Sequence, residues 1–126
     1  MTNPADHIEI HPVAVFLESQ SDPEANRFAF AYTIQITNNG TEPVQLLSRH
    51  WYITYANNEV EEVEGPGVVG LQPVIDPGET FQYSSGAIIE TETGTMHGSY
   101  RMVTGAGESF DAPIPMFLLA PPRTIH

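Results

Sequence analysis

The sequence lacks both cysteine and lysine. Without cysteine, disulfides, a thiol nucleophile and cysteine-ligated zinc are excluded. Without lysine, a P-loop nucleotide hydrolase is excluded as well, because such enzymes hold phosphate with that side chain. Four arginines are the only fixed cations and the formal net charge is -12, so the average field repels phosphate backbones and anionic membranes. A small anion site built from backbone N–H groups and one arginine stays compatible with that charge.

Long hydrophobic runs are also missing. No apolar stretch approaches the about 20 residues that span a bilayer, and residues 1–6 have neither the basic start nor the apolar segment of a secretory signal. A length of 126 residues fits one compact domain. We therefore expect a single domain spanning residues 1–126, located in the cytoplasm, without membrane insertion and without broad nucleic-acid binding.

Alternating apolar and polar residues predict short β-strands. The clearest alternation runs from Phe28 to Ile36. The Asn39-Gly40 pair that follows suits a tight turn and predicts a hairpin with the run from Val44 to Tyr55. Further β-rich runs cover residues 13–17, 81–84, 99–104 and 109–119. Because no window has an apolar stripe at helical spacing, we predict an all-β sandwich of six or seven short strands.

Two segments add detail to this prediction. Pro113 and Pro115 have no N–H for a β-ladder, which predicts that the last strand is an edge strand, a bulged strand or partly extended coil. Such an edge is a candidate partner surface. The acidic run from Glu59 to Glu64 contains alternating valines, which indicates a solvated strand or loop, with strand favoured, rather than an interaction tail.

Gly65, Gly67 and Gly70 have the spacing of a dinucleotide-binding turn. That turn works only where a strand leads into a helix whose N-terminus faces the pyrophosphate. Here two β-branched valines and then Pro73 follow, so no helix is expected. A structural glycine loop is the favoured interpretation, and an anion-binding nest of another type is the alternative.

His7, Glu9 and His11 would share one face of an extended segment. Two imidazoles and a carboxylate can bind a divalent transition metal. Against this, Ile8 and Ile10 alternate with them as in an ordinary half-exposed strand, and no fourth ligand is evident. The solvated strand is the favoured interpretation of this segment.

Arg49-His50-Trp51 combines a guanidinium, a titratable imidazole and the only tryptophan. Strand alternation sends Arg49 and Trp51 to one face and His50 to the other, so the three form no compact site without a bulge. The favoured interpretation places Trp51 in the core and bonds Arg49 and His50 to neighbouring loops. The alternative is a polar rim for an anionic ligand. Ser84 and Ser85 lack the flanking pattern of a hydrolase nucleophile.

Several motifs in order show a family resemblance. They are Gln20 to Pro23, Arg49 to Trp51, Gly65 to Pro73, Tyr83 to Gly86, Gly94 to Met102, Phe110, and Ile114 to Phe117. With them, nearly the whole chain resembles the bacterial ApaG family, also called CorD. Tyr55, Asn58 and Pro66 depart from the family pattern.

The resemblance implies a fibronectin type III-like or immunoglobulin-like β-sandwich of about seven or more short strands. It also implies an association with cobalt resistance, magnesium efflux and diadenosine tetraphosphate metabolism. Related domains in eukaryotic F-box and polymerase-interacting proteins look like protein-interaction modules.

These observations favour a non-catalytic protein-interaction or regulatory domain, with a protein partner and no cofactor. One alternative is a binder of pyrophosphate or a dinucleoside polyphosphate. The candidate residues for that ligand are Arg49, His50, Gly65, Gly67 and Gly70. Another alternative is a divalent-metal protein that uses His7, Glu9 and His11.

Overall fold

The computed structural model describes residues 3–122. Eight strands account for most of them: β1 Ile8–Phe16, β2 Phe28–Asn38, β3 Val44–Tyr55, β4 Val60–Pro66, β5 Val74–Ile75, β6 Thr80–Ile89, β7 Gly94–Thr104 and β8 Ser109–Leu119. Three short 3-10 helices cover Pro4–His7, Glu18–Gln20 and Pro23–Ala25. Within residues 3–122, no helix has the length and apolar character needed to cross a membrane.

The strands form two antiparallel sheets. One sheet has the order β1-β2-β6, and the other has the order β4-β3-β7-β8 with β5 paired to the start of β3. Their inner faces enclose the core, so the prediction of an all-β sandwich is confirmed. The six β-rich runs and the acidic run each contain a strand, and only the two-residue β5 was not predicted.

The core follows the alternation seen in the sequence. In β2, Phe28, Phe30, Tyr32, Ile34 and Ile36 are all buried. The facing sheet contributes a matching apolar layer, which consists of Val44, Leu46, Trp51, Ile53, Met96, Tyr100 and Met102. Each large side chain that is fully buried contributes about 1.5–3 kcal/mol through the area removed from water.

The predicted hairpin between β2 and β3 is wrong. β2 pairs with β1 and β6, whereas β3 pairs with β4, β5 and β7. The segment 39–43 therefore carries the chain from one sheet to the other. Asn38 fixes this crossing, because its buried side chain donates to the Glu42 and Ile75 carbonyls, both at 2.9 Å, and accepts from the Gly40 N–H at 2.9 Å.

The edge strands agree with the sequence. β8 ends the larger sheet, and its pairing with β7 shifts between Met96 and Gly98, so Pro115 and Met116 lie opposite His97 in a bulge. The edge and bulge predictions for the proline-containing strand are both confirmed. At the opposite end of that sheet, the acidic run forms edge strand β4, as its valines predicted.

Candidate functional site

Strand β3 presents two different surfaces. After a one-residue bulge at Leu47, Arg49 and Trp51 face the sandwich interior, while His50 and Tyr52 face outward. Trp51 is 2% exposed and packs edge-on against Tyr32 at a ring-centroid distance of 5.5 Å. The core position predicted for Trp51 is therefore confirmed.

Arg49 is clamped by the segment that carries the glycines. Its Nη1 donates to the Pro66 carbonyl at 3.0 Å and to the Gly67 carbonyl at 2.9 Å. Gly65 lies directly opposite Arg49 in the β3–β4 pairing, and a Cβ there would come within 2.8 Å of Arg49 Nη2. The absence of a side chain at Gly65 is what allows the guanidinium to rest on strand β4.

The glycine loop is a tight turn and leads into no helix. Val68 and Leu71 exchange backbone hydrogen bonds of 2.8 and 2.9 Å, and the Gly67 N–H donates to the Leu47 carbonyl. Gly67, Val69 and Gly70 all have positive φ, at 60°, 44° and 81°. A β-branched valine in this region is an outlier that stores strain. The expectation that no helix follows the glycines is confirmed, and the loop turns two carbonyl groups toward Arg49.

A cleft of about 330 Å³ lies between this loop and strand β6. Its polar lining includes Arg49, Tyr32, Tyr83 and Ser85, and it adjoins a groove of about 290 Å³ that is bordered by the edge strands β4 and β6. Within residues 3–122, no acceptor is bonded to the Nε or Nη2 hydrogens of Arg49. The indole N–H of Trp51, another residue lining the groove, is likewise buried without an acceptor in that range.

Tyr83, which lines the cleft with Arg49, is paired with a second tyrosine, Tyr100. The Tyr83 and Tyr100 hydroxyl groups lie 2.5 Å apart in the core. Burial raises the pKa of both phenols well above the usual range, and the Arg49 charge opposes this only in part. Both groups are therefore neutral at physiological pH and act as hydrogen-bonding hydroxyls.

His50 belongs to a separate group on the outer face. Its Nε2 lies 2.9 Å from a Glu62 oxygen and its Nδ1 lies 3.2 Å from a Glu64 oxygen. The imidazole stacks on Tyr52 at 4.6 Å. The set predicted for an anion is thus split, since Arg49 joins the glycine loop while the His50 side chain is held by strand β4 on the other face.

The N-terminal histidines are arranged less compactly. His11 Nε2 lies 3.0 Å from Glu9 Oε1, and this hydrogen bond lowers the pKa of the Glu9 carboxyl. His7 lies at the end of the preceding 3-10 helix instead of on β1. The one set of three ligand atoms that all lie within 4.8 Å of one another, in the part of the chain that the structure describes, does not include these residues. Metal binding by His7, Glu9 and His11 stays a prediction.

Sequence reasoning missed Tyr32 and Tyr83 as cleft residues. They come from β2 and β6, neighbours in the smaller sheet, and meet Arg49 only through sheet packing. Ser85 was visible in the sequence but was considered only as a nucleophile. Its place on the inward-facing side of β6 could have been found from the alternation with Tyr83.

Comparison with known proteins decides the family. The profile of the ApaG domain matches residues 18–104, a range that contains Arg49, the glycine loop, Tyr83 and Tyr100. Protein ApaG of Dechloromonas aromatica is 56% identical over 119 residues, which cover 94% of each chain. Protein ApaG of Pseudomonas entomophila is 53% identical over the full length of both chains. The chain belongs to the ApaG family.

Solved structures agree with the fold. A crystal structure from Bordetella pertussis superposes with a TM-score of 0.90 at 48% identity, covering 93% of this chain and 95% of that one. A second X-ray structure, a structural-genomics target, gives a TM-score of 0.92 at 42% identity, covering 98% and 94%. The β-sandwich described above is therefore similar to folds determined by crystallography.

Proposed function

We propose that this ApaG-family domain is a non-catalytic binding module that takes a small phosphate-containing ligand, such as pyrophosphate or a dinucleoside polyphosphate, in the Arg49 cleft. The observation that carries the proposal is the partly buried guanidinium. Its Nη1 is bonded to two carbonyl groups, while its other hydrogens have no acceptor within residues 3–122. A partly buried cation without a carboxylate partner gains most from an anionic ligand.

The charges around this cation support a small ligand over a large one. Arg101 is paired with Asp111 at 3.2 Å, whereas no ion pair of Arg49 occurs in the described range. The whole chain carries a formal charge of -12, so an extended polyanion would be repelled. A compact oxyanion can instead be held by one guanidinium, the Ser85 hydroxyl and the neutral phenols of the cleft.

The same groups favour binding over catalysis. A general base must exchange its proton near the working pH. Burial raises the pKa of Tyr83, so its phenol keeps the proton at neutral pH and acts as a donor or acceptor only. Guanidinium and hydroxyl groups of this kind orient an anion without offering a base for its hydrolysis.

Calorimetry and NMR titration with pyrophosphate and diadenosine tetraphosphate test the proposal. We expect saturable binding that Arg49→Gln weakens at least about ten-fold, because charge-assisted hydrogen bonds are lost. Arg101→Gln, which removes the paired surface arginine, should leave the affinity unchanged. Absence of saturation at millimolar ligand, or equal losses in both variants, would contradict this function. Release of phosphate from either ligand would show that the module is catalytic.

Arg49→Gln also removes the two hydrogen bonds between Arg49 and the glycine loop. A second pair of variants therefore tests the cleft without changing Arg49. Ser85 lines the cleft, whereas Ser84, its neighbour on the outer face of β6, bonds to Thr33 at 2.7 Å. Ser85→Ala should weaken ligand binding, and Ser84→Ala should not. The reverse order would place the ligand outside the cleft.

A protein partner is the second candidate, and the rim of the cleft supports it. Val69 of the cleft and Ile88 of the adjoining groove are 54% and 53% exposed, and β6 is an edge strand of the smaller sheet. Apolar residues beside an unpaired strand edge suit an extended segment of another protein. Affinity capture should recover a stoichiometric partner with the wild-type domain and lose it with Ile88→Asp. Val13→Asp, at an exposed valine of β1, is the matched control and should retain it.

A further inference from the structure

The outer face of the larger sheet carries a second group of ligand-type side chains. Glu64 lies directly opposite His50 in the β3–β4 pairing, and Glu62, two residues earlier, lies opposite Tyr52. Residues two apart on a strand share a face, so both carboxylates reach the imidazole. One ligand atom from each of the three residues lies within 4.8 Å of the other two.

We propose that His50, Glu62 and Glu64 form a site for a divalent transition-metal ion, on the face of β3 opposite the Arg49 cleft. One imidazole nitrogen and two carboxylate oxygens are ligands that zinc and nickel accept, and water completes the coordination of such an open site. The site is independent of the function proposed for Arg49, because it uses other side chains on the other surface of the sheet.

Each carboxylate lies at a ligand–ligand distance from one nitrogen of the His50 ring. Metal–ligand bonds of about 2.1 Å place neighbouring ligand atoms about 3.0 Å apart in an octahedron and about 3.4 Å apart in a tetrahedron. Here a nitrogen of His50 lies 2.9 Å from Glu62, and its other nitrogen lies 3.2 Å from Glu64. The two carboxylates contact different ring nitrogens, so coordination through one nitrogen requires the second carboxylate to move to that side of the ring, where the three ligand atoms already lie within 4.8 Å of one another.

Aromatic stacking orients the His50 ring independently of any metal ion. His50 stacks on Tyr52 with an interplanar angle of 28°, and Tyr52 in turn stacks on His97 at 5.2 Å and 18°. The His50 side chain is 29% exposed, whereas Glu62 and Glu64 are 53% and 65% exposed. A ring oriented by stacking lowers the ordering cost of coordination, and the two exposed carboxylates leave the ion accessible from solvent.

The charge balance favours a cation at this position. Two carboxylates surround one imidazole, and carboxylate charge attracts a divalent ion. Arg101 lines the same surface depression as His50 and Glu64 and is already paired with Asp111. An imidazole ligand selects zinc or nickel over magnesium, which prefers oxygen ligands and retains its water.

Titration of the full chain with Zn²⁺, Ni²⁺ and Mg²⁺ tests the site. We expect saturable binding of zinc and nickel and weaker binding of magnesium. His50→Gln, Glu62→Gln and Glu64→Gln should each weaken zinc at least about ten-fold. The two glutamate variants change exposed side chains, so they preserve the fold if His50→Gln does not. Bound Ni²⁺ should broaden the NMR signals of residues 50, 62 and 64 first.

The N-terminal pair provides the matched control, because Glu9 and His11 are also a bonded histidine and carboxylate, at 3.0 Å, but no third ligand among residues 3–122 lies within 4.8 Å of both. His11→Gln should leave zinc affinity unchanged. Loss of binding in His11→Gln but not in His50→Gln, or no saturation at millimolar zinc, would overturn the site. Arg49→Gln should leave zinc affinity unchanged, so failure of either proposal is recognised separately.

Discussion

The two faces of strand β3 place consecutive residues in opposite electrostatic surroundings. Arg49 faces inward, where its charge is met by the backbone carbonyl groups of Pro66 and Gly67. His50 faces outward, where the carboxylates of Glu62 and Glu64 flank its ring. The comparison shows why the tripeptide 49–51 is no single site. Strand alternation divides it between an inner surface that carries a guanidinium and an outer surface that carries two carboxylates.

The largest expected effect is a difference in unfolding free energy between substitutions on the inner and outer faces of β3. Trp51→Ala removes a side chain that is 2% exposed and packs against Tyr32, Tyr100 and Phe117, so we expect a loss of about 3–5 kcal/mol. Tyr52→Ala on the outer face removes two stacking contacts and should cost only about 1 kcal/mol. Urea unfolding curves measure both values, and similar losses would contradict the assignment of inner and outer faces.

A second comparison uses two pairs of hydroxyl groups. The Tyr83–Tyr100 pair is buried, whereas the Thr33–Ser84 pair is exposed. Tyr83→Phe or Tyr100→Phe leaves the remaining phenol without its partner in the core and should cost about 1–3 kcal/mol. Replacing both should cost less than the sum. Ser84→Ala should change the unfolding free energy by less than about 0.5 kcal/mol. A larger loss would contradict the idea that burial decides how much each hydroxyl pair contributes to stability.

Gly65 links the glycine loop to the inner face. Gly65→Ala places a methyl group within 2.8 Å of the guanidinium, so Arg49 must move. We expect a loss of roughly 1–3 kcal/mol from this overpacking, together with weaker anion binding and unchanged zinc binding. Gly86→Ala is the control, because its nearest contact would be the Phe30 carbonyl at an ordinary 3.6 Å. An unchanged anion affinity in Gly65→Ala would show that the glycine loop does not contribute to anion binding in the cleft.

Much of the fold could be read from the sequence because local patterns determine it. The alternation of β2, the burial of Trp51 and the edge position of the proline-containing β8 all follow from single segments. The failed hairpin shows the limit of such patterns. Asn39-Gly40 correctly marks a change of direction, but the crossing to the other sheet is held by Asn38, whose buried amide bonds to Glu42 before β3 and to Ile75 in β5.

The two sites differ in how far sequence could have found them. The cleft required knowledge of how the sheets pack, since Tyr32 and Tyr83 reach Arg49 from another sheet. The group of His50, Glu62 and Glu64 could have been found from the sequence. Asn58 adopts a positive φ of 71°, and the turn closes with a hydrogen bond from Tyr55 to Glu59. A hairpin centred there places residue 64 opposite residue 50, but the acidic run was interpreted only as a solvated strand.

The smallest predicted effect concerns a phenol on the inner face of β3. The Tyr55 hydroxyl donates to a Glu61 oxygen at 2.7 Å, and this bond, with smaller contributions from burial and nearby acidic charges, raises the pKa of Tyr55 to about 12. A phenol ordinarily titrates near pH 10. The folded state therefore favours the neutral phenol, and the stabilisation is complete below about pH 10 and lost as the pH rises toward 12.

Glu61→Gln removes the charged acceptor, so the pKa of Tyr55 should fall toward its ordinary value when phenolate absorbance is followed with pH. Glu62→Gln changes the next residue of β4, which lies on the outer face beside His50, and should leave that pKa unchanged while it weakens zinc. Because the two glutamates differ by a single position, the pair tests the β3–β4 register itself. Equal shifts in both variants would mean that the strand does not alternate as the structure shows, and both proposed sites would lose their basis.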